Sequence, residues 1–235
     1  DVSKLNVFGN VGVYPIILIG DKTKHEFNEY EVGSVGNLYG EKFSSQKHTL
    51  EHKTFKDFGI EIGSGARGFQ AKILIDLISE EEYPNTIPFI VSGSVDPYEI
   101  HLDNVRYMGR SYKRAFIRKG EGVAQSKWNF WNNEKIIVSG MTKRIEAQFF
   151  KKPLALGVGV YAIFNYAGLS PYFLLAILNS KYLTYYILEK FKHKHLAGGY
   201  LAINKSTLEQ LPIVKPDAQT EKLLTSLAKS RALLT

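Results

Sequence analysis

Gly63-Ser64-Gly65-Ala66-Arg67-Gly68 matches G-x-G-x-x-G after a strand-like run, a spacing that in a dinucleotide fold lays a pyrophosphate on a helix N-terminus. That chemistry also needs an acidic residue at a strand end about 20 positions on. Glu80 to Glu82 lie instead in a polar segment, so the glycines read as a tight loop. His48-Thr49-Leu50-Glu51-His52 matches H-x-x-E-H, which on a helix puts two imidazoles on one face to hold zinc. Its Ser, Gln and Lys neighbours supply no apolar stripe to seat such a helix, and the segment reads as solvated. Cationic chemistry is better represented. Arg106, Arg110, Lys113, Arg114, Arg118 and Lys119 fall within fourteen residues that contain no acidic side chain, and Lys190, Lys192 and Lys194 cluster with His193 and His195. Lys and Arg can neutralise phosphates, and forked donors can reach base edges. Each cluster alone reads equally as solvated surface.

The composition agrees with a globular protein and a polyanionic partner. The 235 residues are 44% hydrophobic and 13% aromatic, enough to bury a sizeable core, and 30 Lys+Arg against 23 Asp+Glu give a formal charge of +7. Cysteine is absent, which removes disulfides, thiolate nucleophiles and Cys-based zinc sites and suits a reducing, cytoplasmic location. The longest apolar run, Tyr172 to Leu178, falls far short of the ~20 residues that span a bilayer, so no membrane partner is expected. A chain opening on Asp1 and soon entering an apolar strand-like run is expected to be a piece of a longer protein.

These residues need elements to position them. Val11 to Gly20 is β-branched and bounded by glycine, the pattern of a buried strand; His25 to Asp57 is polar and reads as a connection. Phe58 to Ile62, Pro88 to Ser92, Lys135 to Ser139, Arg144 to Phe149 and Gly157 to Asn165 are short β-prone runs, with Ser139-Gly140-Met141-Thr142 suited to a hairpin turn. Ser170-Pro171 starts a buried helix whose apolar spacing runs from Tyr172 through Phe191. Asn179-Ser180 inside it is expected to satisfy neighbouring backbone. Ser206-Thr207-Leu208-Glu209 fits a capping box, Pro212 ends that helix, and Asp217 suits the cap of a last helix carrying Leu224, Leu227, Arg231 and Leu234 near heptad spacing. The sum predicts an α+β fold, a curled antiparallel β-sheet with packed helices.

The order of four segments resembles a known family. Ala197-Gly198-Gly199-Tyr200 through Lys205 to Pro212, following a helix with Leu178-Asn179-Ser180-Lys181, resembles the end of the DNA target-recognition domain of adenine-N6 DNA methyltransferases and fused type IIG restriction-modification enzymes with a TaqI-like specificity domain. Ile62 to Ala71 resembles the family's Ser-Gly-Ala entry segment, and Phe89 to Tyr98 its Gly-x-(Ile/Val)-Asp-x-Tyr strand and turn. Lys135 to Ala147 is similar to its Lys-Ile-(Ile/Val)…Lys-Arg-(Ile/Leu)-Glu-Ala hairpin.

The resemblance implies residues 1–30 as the remnant of an α/β methyltransferase catalytic domain, 31–57 as linker, 58–216 as the recognition domain and 217–235 as the start of a C-terminal helix. It implies duplex DNA and a catalytic domain in cis as partners. The parent enzyme would methylate adenine with S-adenosylmethionine, with or without an endonuclease. No cofactor, metal or complete catalytic site is expected on this chain: Asp96-Pro97-Tyr98 is similar to the [DN]-P-P-[YF] tetrapeptide but lacks its second proline, so Asp96 reads as a turn residue and Tyr98 as packing or DNA-facing. With the basic patterning, the resemblance nominates Ser64, Arg67, Ser92, Ser94, Lys143, Arg144, Lys192, Lys194, His195, Gly198, Gly199, Tyr200 and Lys205 for DNA binding. Half of a type I restriction specificity subunit and a nucleotide-binding metabolic enzyme built on the Gly63 loop remain as alternatives.

Overall fold

A computed structural model describes Tyr30–Glu31 and Glu41–Lys42, which pair antiparallel, and then residues 53–191, Lys194 and residues 196–233. The run Val11 to Gly20 and the His48-to-His52 motif lie outside the described residues. Residues 52–194 and 201–235 form one compact unit, and residues 195–200 belong to a second.

The large unit is organised by Lys135–Ser139, a strand buried along its whole length. Its continuous Ile-Ile-Val run is what a strand covered on both faces requires. Antiparallel neighbours flank it, giving the order Ala147–Phe150, Lys135–Ser139, Val160–Asn165, Glu61–Ser64. Alternation along the strands then feeds two cores. Ile136, Val138, Ile163 and Ile62 pack toward the helices Pro171–Leu178 and Lys181–Lys190, while Ile137, Ala162 and Val160 join the opposite cluster with Phe89, Trp131 and Leu156.

That opposite cluster is closed by a second four-stranded sheet, ordered Ala155–Leu156, Thr86–Ile90, Phe116–Arg118, Ile78–Ser79. Ala155–Leu156 runs parallel to Thr86–Ile90 and the other pairs are antiparallel. The α+β class is therefore as expected, but the sheet is not one antiparallel layer: a mixed sheet accompanies the antiparallel one. The parallel pairing is non-local and leaves no hairpin signal in the sequence.

Several boundaries move for identifiable reasons. The run expected as a strand from Phe58 begins with a helix, Phe55–Phe58, capped by Thr54 and closed by Gly59 at φ 88°; the strand is Glu61–Ser64. Residues 53–57, read from sequence as part of a connection, are built into the unit, since Lys53–Thr54 pairs with Pro212–Ile213 and Phe55 is fully buried. The predicted helix from Tyr172 to Phe191 is two helices, broken at Asn179 and Ser180. The cap of Lys205–Glu209 is Asn204, whose Oδ1 accepts the Thr207 N–H at 3.0 Å, rather than Ser206. Asp217 does cap the last helix, Ala218–Leu233, accepting the Thr220 N–H at 2.8 Å. Pro171 occupies the first turn of its helix as expected, but the Ser170 hydroxyl makes no cap, and the Ser170 N–H donates to Glu221 on the last helix at 2.9 Å.

Candidate nucleic-acid interface

The Gly63–Gly68 segment is the best-defined site, and its glycines answer to packing. Ser64 ends the strand, and the chain crosses the Leu156–Val160 segment so closely that a Cβ on Gly65 would overlap the Gly157 carbonyl oxygen and stand 2.7 Å from that of Leu156. Gly63 leaves room for the Phe130 ring, which a Cβ would approach to 2.7 Å. The Gly65 and Ala66 N–H groups donate to the Val160 and Leu156 carbonyls at 2.8 and 3.0 Å. A phosphate cradle needs those amides free, and the preceding strand sits in an antiparallel sheet rather than a βαβ unit. The nucleotide-enzyme alternative loses its site on both counts.

What the loop presents is cationic. It lines an open cleft of about 420 Å³ together with Gly159, Tyr161, Asn204, Lys205, Ser206 and Glu209, so Ser64, Arg67 and Lys205 of the nominated residues come together there. The Arg67 guanidinium donates to the Ser64 hydroxyl, and Lys127 donates through Nζ to the Ser64 carbonyl at 2.5 Å and the Gly65 carbonyl at 3.0 Å. Burial, with the Arg67 charge adding to it, holds the Lys127 ammonium below the ordinary lysine range. Among the described residues no carboxylate is paired with Arg67 or Lys127. Glu209, the acid in the lining, lies 3.6 Å from Lys205. Phe69, the second residue of the helix Gly68–Leu74, is 79% exposed beside this group. Lys127 was not legible as a site residue: it is a lone lysine in Gln125–Asn132, and only the tertiary fold brings it beneath the loop.

The remaining nominated residues divide. Ser92 bonds the Ser139 hydroxyl at 2.8 Å and accepts the Met141 N–H at 3.0 Å; Ser94 is buried and its hydroxyl accepts the Val91 N–H at 3.3 Å. Both hydroxyls serve the fold. The expected hairpin forms with Val138 opposite Ala147, but its connection spans residues 140–146, because Met141–Thr142 peels away to pair with Leu201–Ala202. Lys143 and Arg144 therefore ride an exposed loop rather than a strand, with Arg144 Nε 3.6 Å from Glu146. Lys194 extends over the Phe191 ring and donates to the Thr207 hydroxyl at 2.6 Å, on the helix that lines the cleft. Gly198 and Gly199 hold φ of 73° and 78°, and Leu196 N–H donates to the Tyr200 carbonyl at 2.7 Å; all four residues belong to the second unit. Lys192 and His195 lie outside the described residues.

Asp96 and Tyr98 are structural. Asp96 bonds His101 Nε2 at 2.9 Å, and the Tyr98 N–H donates to the Ala147 carbonyl at 2.9 Å. Burial raises the Tyr98 hydroxyl pKa, tempered by a hydrogen bond with Asn179 and by the charge of Arg231.

The α+β unit thus sets Arg67 and Lys205 along one open cleft, with Lys127 beneath the loop that carries Arg67. The chain belongs to the TaqI-like C-terminal specificity domain family, whose model matches residues 89–213, more than half of the 235 residues. A chain from a solved structure concerned with complex assembly and conformational transition of the type I R-M system is similar at 14% identity and a TM-score of 0.45. The similarity covers 77% of this chain, which spans 38% of that one. No curated protein matches the chain. Among the described residues no helix is long and apolar enough to cross a membrane.

Proposed function

We propose that this chain is the sequence-recognition domain of a DNA restriction-modification enzyme, and that it grips duplex DNA with the cleft lined by Ser64, Arg67 and Lys205, backed by Lys127 beneath the loop. Membership of the specificity-domain family supplies the class. The observation that carries the surface is the Arg67–Lys127 pair, two cations at one loop without a paired carboxylate among the described residues. A phosphate entering there would find donors already oriented. In this reading the chain works in cis with an adenine-N6 methyltransferase domain that binds S-adenosylmethionine, while this domain holds the duplex as the target base rotates out. Lys143 and Arg144, on their exposed loop, are further contacts, Arg144 having the forked geometry that matches guanine.

Salt separates this reading from a coincidental basic surface. Affinity for a labelled duplex should fall steeply and linearly in log–log form as salt rises, and Arg67→Ala should weaken binding to all sequences alike while reducing that slope by about 0.9, the loss of one phosphate contact. Binding that is absent at low salt, or indifferent to salt, sinks the proposal.

A further inference from the structure

The basic stretch that holds six cations in fourteen residues resolves into a device the cleft does not use. Asp103–Tyr107 and Arg110–Arg114 form an antiparallel hairpin, Arg106 opposite Ser111 and Val105 opposite Tyr112. Its tip is the two-residue turn Met108-Gly109, with φ of 49° and 83°, the positive pair that matches the right-handed twist of a two-stranded ribbon.

The two faces differ sharply. Val105, Tyr107 and Tyr112 are buried; the Tyr107 hydroxyl donates to the Ala71 carbonyl at 2.9 Å and its ring packs edge-on against Phe89 at 4.9 Å. The ribbon is thus mounted rigidly on the second core, so little ordering entropy opposes its engagement. The outer face carries Asn104, Arg106, Ser111 and Lys113, all exposed, around a shallow concavity. The nearby acids are already engaged: Asp103 lies 3.8 Å from Arg114, and the Glu80 carboxylate accepts the Lys113 N–H. An amide, a guanidinium, a hydroxyl and an ammonium on one face are the donor set that reaches base edges and phosphates.

We infer that this hairpin is a second DNA-contacting element, a β-ribbon that lies in the major groove with Arg106 and Lys113 directed at the duplex. The inference rests on the reading of the chain as a DNA-recognition domain. Strands about 4.8 Å apart fit a groove about 12 Å wide but not the minor groove at about 6 Å, and the acid within the hairpin, Asp103, alternates with Asn104 and so shares the face of Val105 rather than that of Arg106 and Lys113.

The test uses the whole chain and two versions of one short random-sequence duplex, one plain and one whose cytosines carry bulky 5-glucosyloxymethyl groups that fill the major groove. Wild type should bind the filled duplex roughly tenfold more weakly, and Arg106→Ala/Lys113→Ala should bind the plain duplex about tenfold more weakly and distinguish the two much less than wild type does. Because both side chains are exposed, the thermal midpoint of the double variant should match wild type, which excludes misfolding as the cause. Salt-dependent binding that ignores groove filling, or a double variant that discriminates as strongly as wild type, overturns the hairpin while leaving the Arg67 cleft standing. Absence of duplex binding by wild type at low salt, or preference for an RNA duplex, removes both.

Discussion

Individual residues in this domain are fixed by what stands opposite them, and Gly65 shows the constraint most directly. Its Cβ has no space between the Leu156 and Gly157 carbonyls, whereas a Cβ on Gly93 would meet nothing within 4 Å. Gly65→Ala must push apart backbone that cannot rotate away, so its cost should reach the upper end of the ~1–3 kcal/mol typical of overpacking or exceed it. Gly93→Ala should be nearly silent. Denaturant midpoints of the two variants check this, and equal midpoints would mean the crossing is looser than described. The consequence reaches function, because the same crossing aims the Ser64 and Gly65 carbonyls that hold Lys127. A binding defect in Gly65→Ala would therefore be indirect, unlike that of Arg67→Ala, which leaves the backbone alone.

At the scale of elements, the break between Pro171–Leu178 and Lys181–Lys190 is the instructive case. Apolar spacing alone continues through it, yet the Asn179 amide accepts the Ala147 N–H and donates to the Ala147 carbonyl, both at 3.0 Å, acting where a neighbouring strand would on the sheet edge. Ser180 then caps the second helix, accepting the Leu183 N–H at 3.1 Å. Asn179→Leu would leave the Ala147 carbonyl to the Tyr98 N–H but strip its N–H of an acceptor, a loss of roughly 1–3 kcal/mol. A lowered denaturant midpoint with unchanged helix content is the expected outcome; an unchanged midpoint would show that the amide pairing contributes nothing. The polarity of Asn179-Ser180 made their backbone role legible, but not the break, which depends on a strand residue 32 positions away in sequence. The same limit explains the other differences. Lys135–Ser139 and the Pro171 start were legible because a β-branched run and a first-turn proline are local signals. The parallel pairing of Ala155–Leu156 with Thr86–Ile90 and the arrival of Lys127 under the Ser64 loop are non-local and leave no periodic trace. The basic stretch was visible as composition, but that Arg106 and Lys113 share a face opposite Val105 and Tyr107 follows only from the strand register.

For the molecule as a whole, stability against pH should be shaped by one lysine that has no part in binding. Lys135 is fully buried, and its ammonium donates to the Trp131 and Asn133 carbonyls at 2.7 and 2.6 Å, closing the end of the helix Gln125–Asn132. Burial pushes its pKa down from 10.5 to about 8. The folded form therefore releases this proton before the unfolded chain does. Between pH 8 and 10.5 the unfolded state binds more protons, so stability rises with pH through that window; below pH 8 both states are charged and the desolvation penalty is fully present. A shift of this size is worth roughly 3 kcal/mol at most. Tyrosines set the upper limit with the opposite sign. Burial raises the Tyr107 hydroxyl to about 12 and Tyr166 further, so above pH 10 the unfolded chain ionises first and stability declines. The denaturant midpoint should thus climb from pH 8 to a maximum near pH 10 and then fall. Loss of net positive charge over the same range relieves self-repulsion in any variant, so the decisive quantity is the difference between the wild-type curve and that of Lys135→Met. That difference should change through the pH 8–10 interval, with the variant flatter whatever its absolute stability. Parallel curves would mean that the Lys135 ammonium retains its proton, held by its two carbonyls and the helix end strongly enough to cancel the effect of burial.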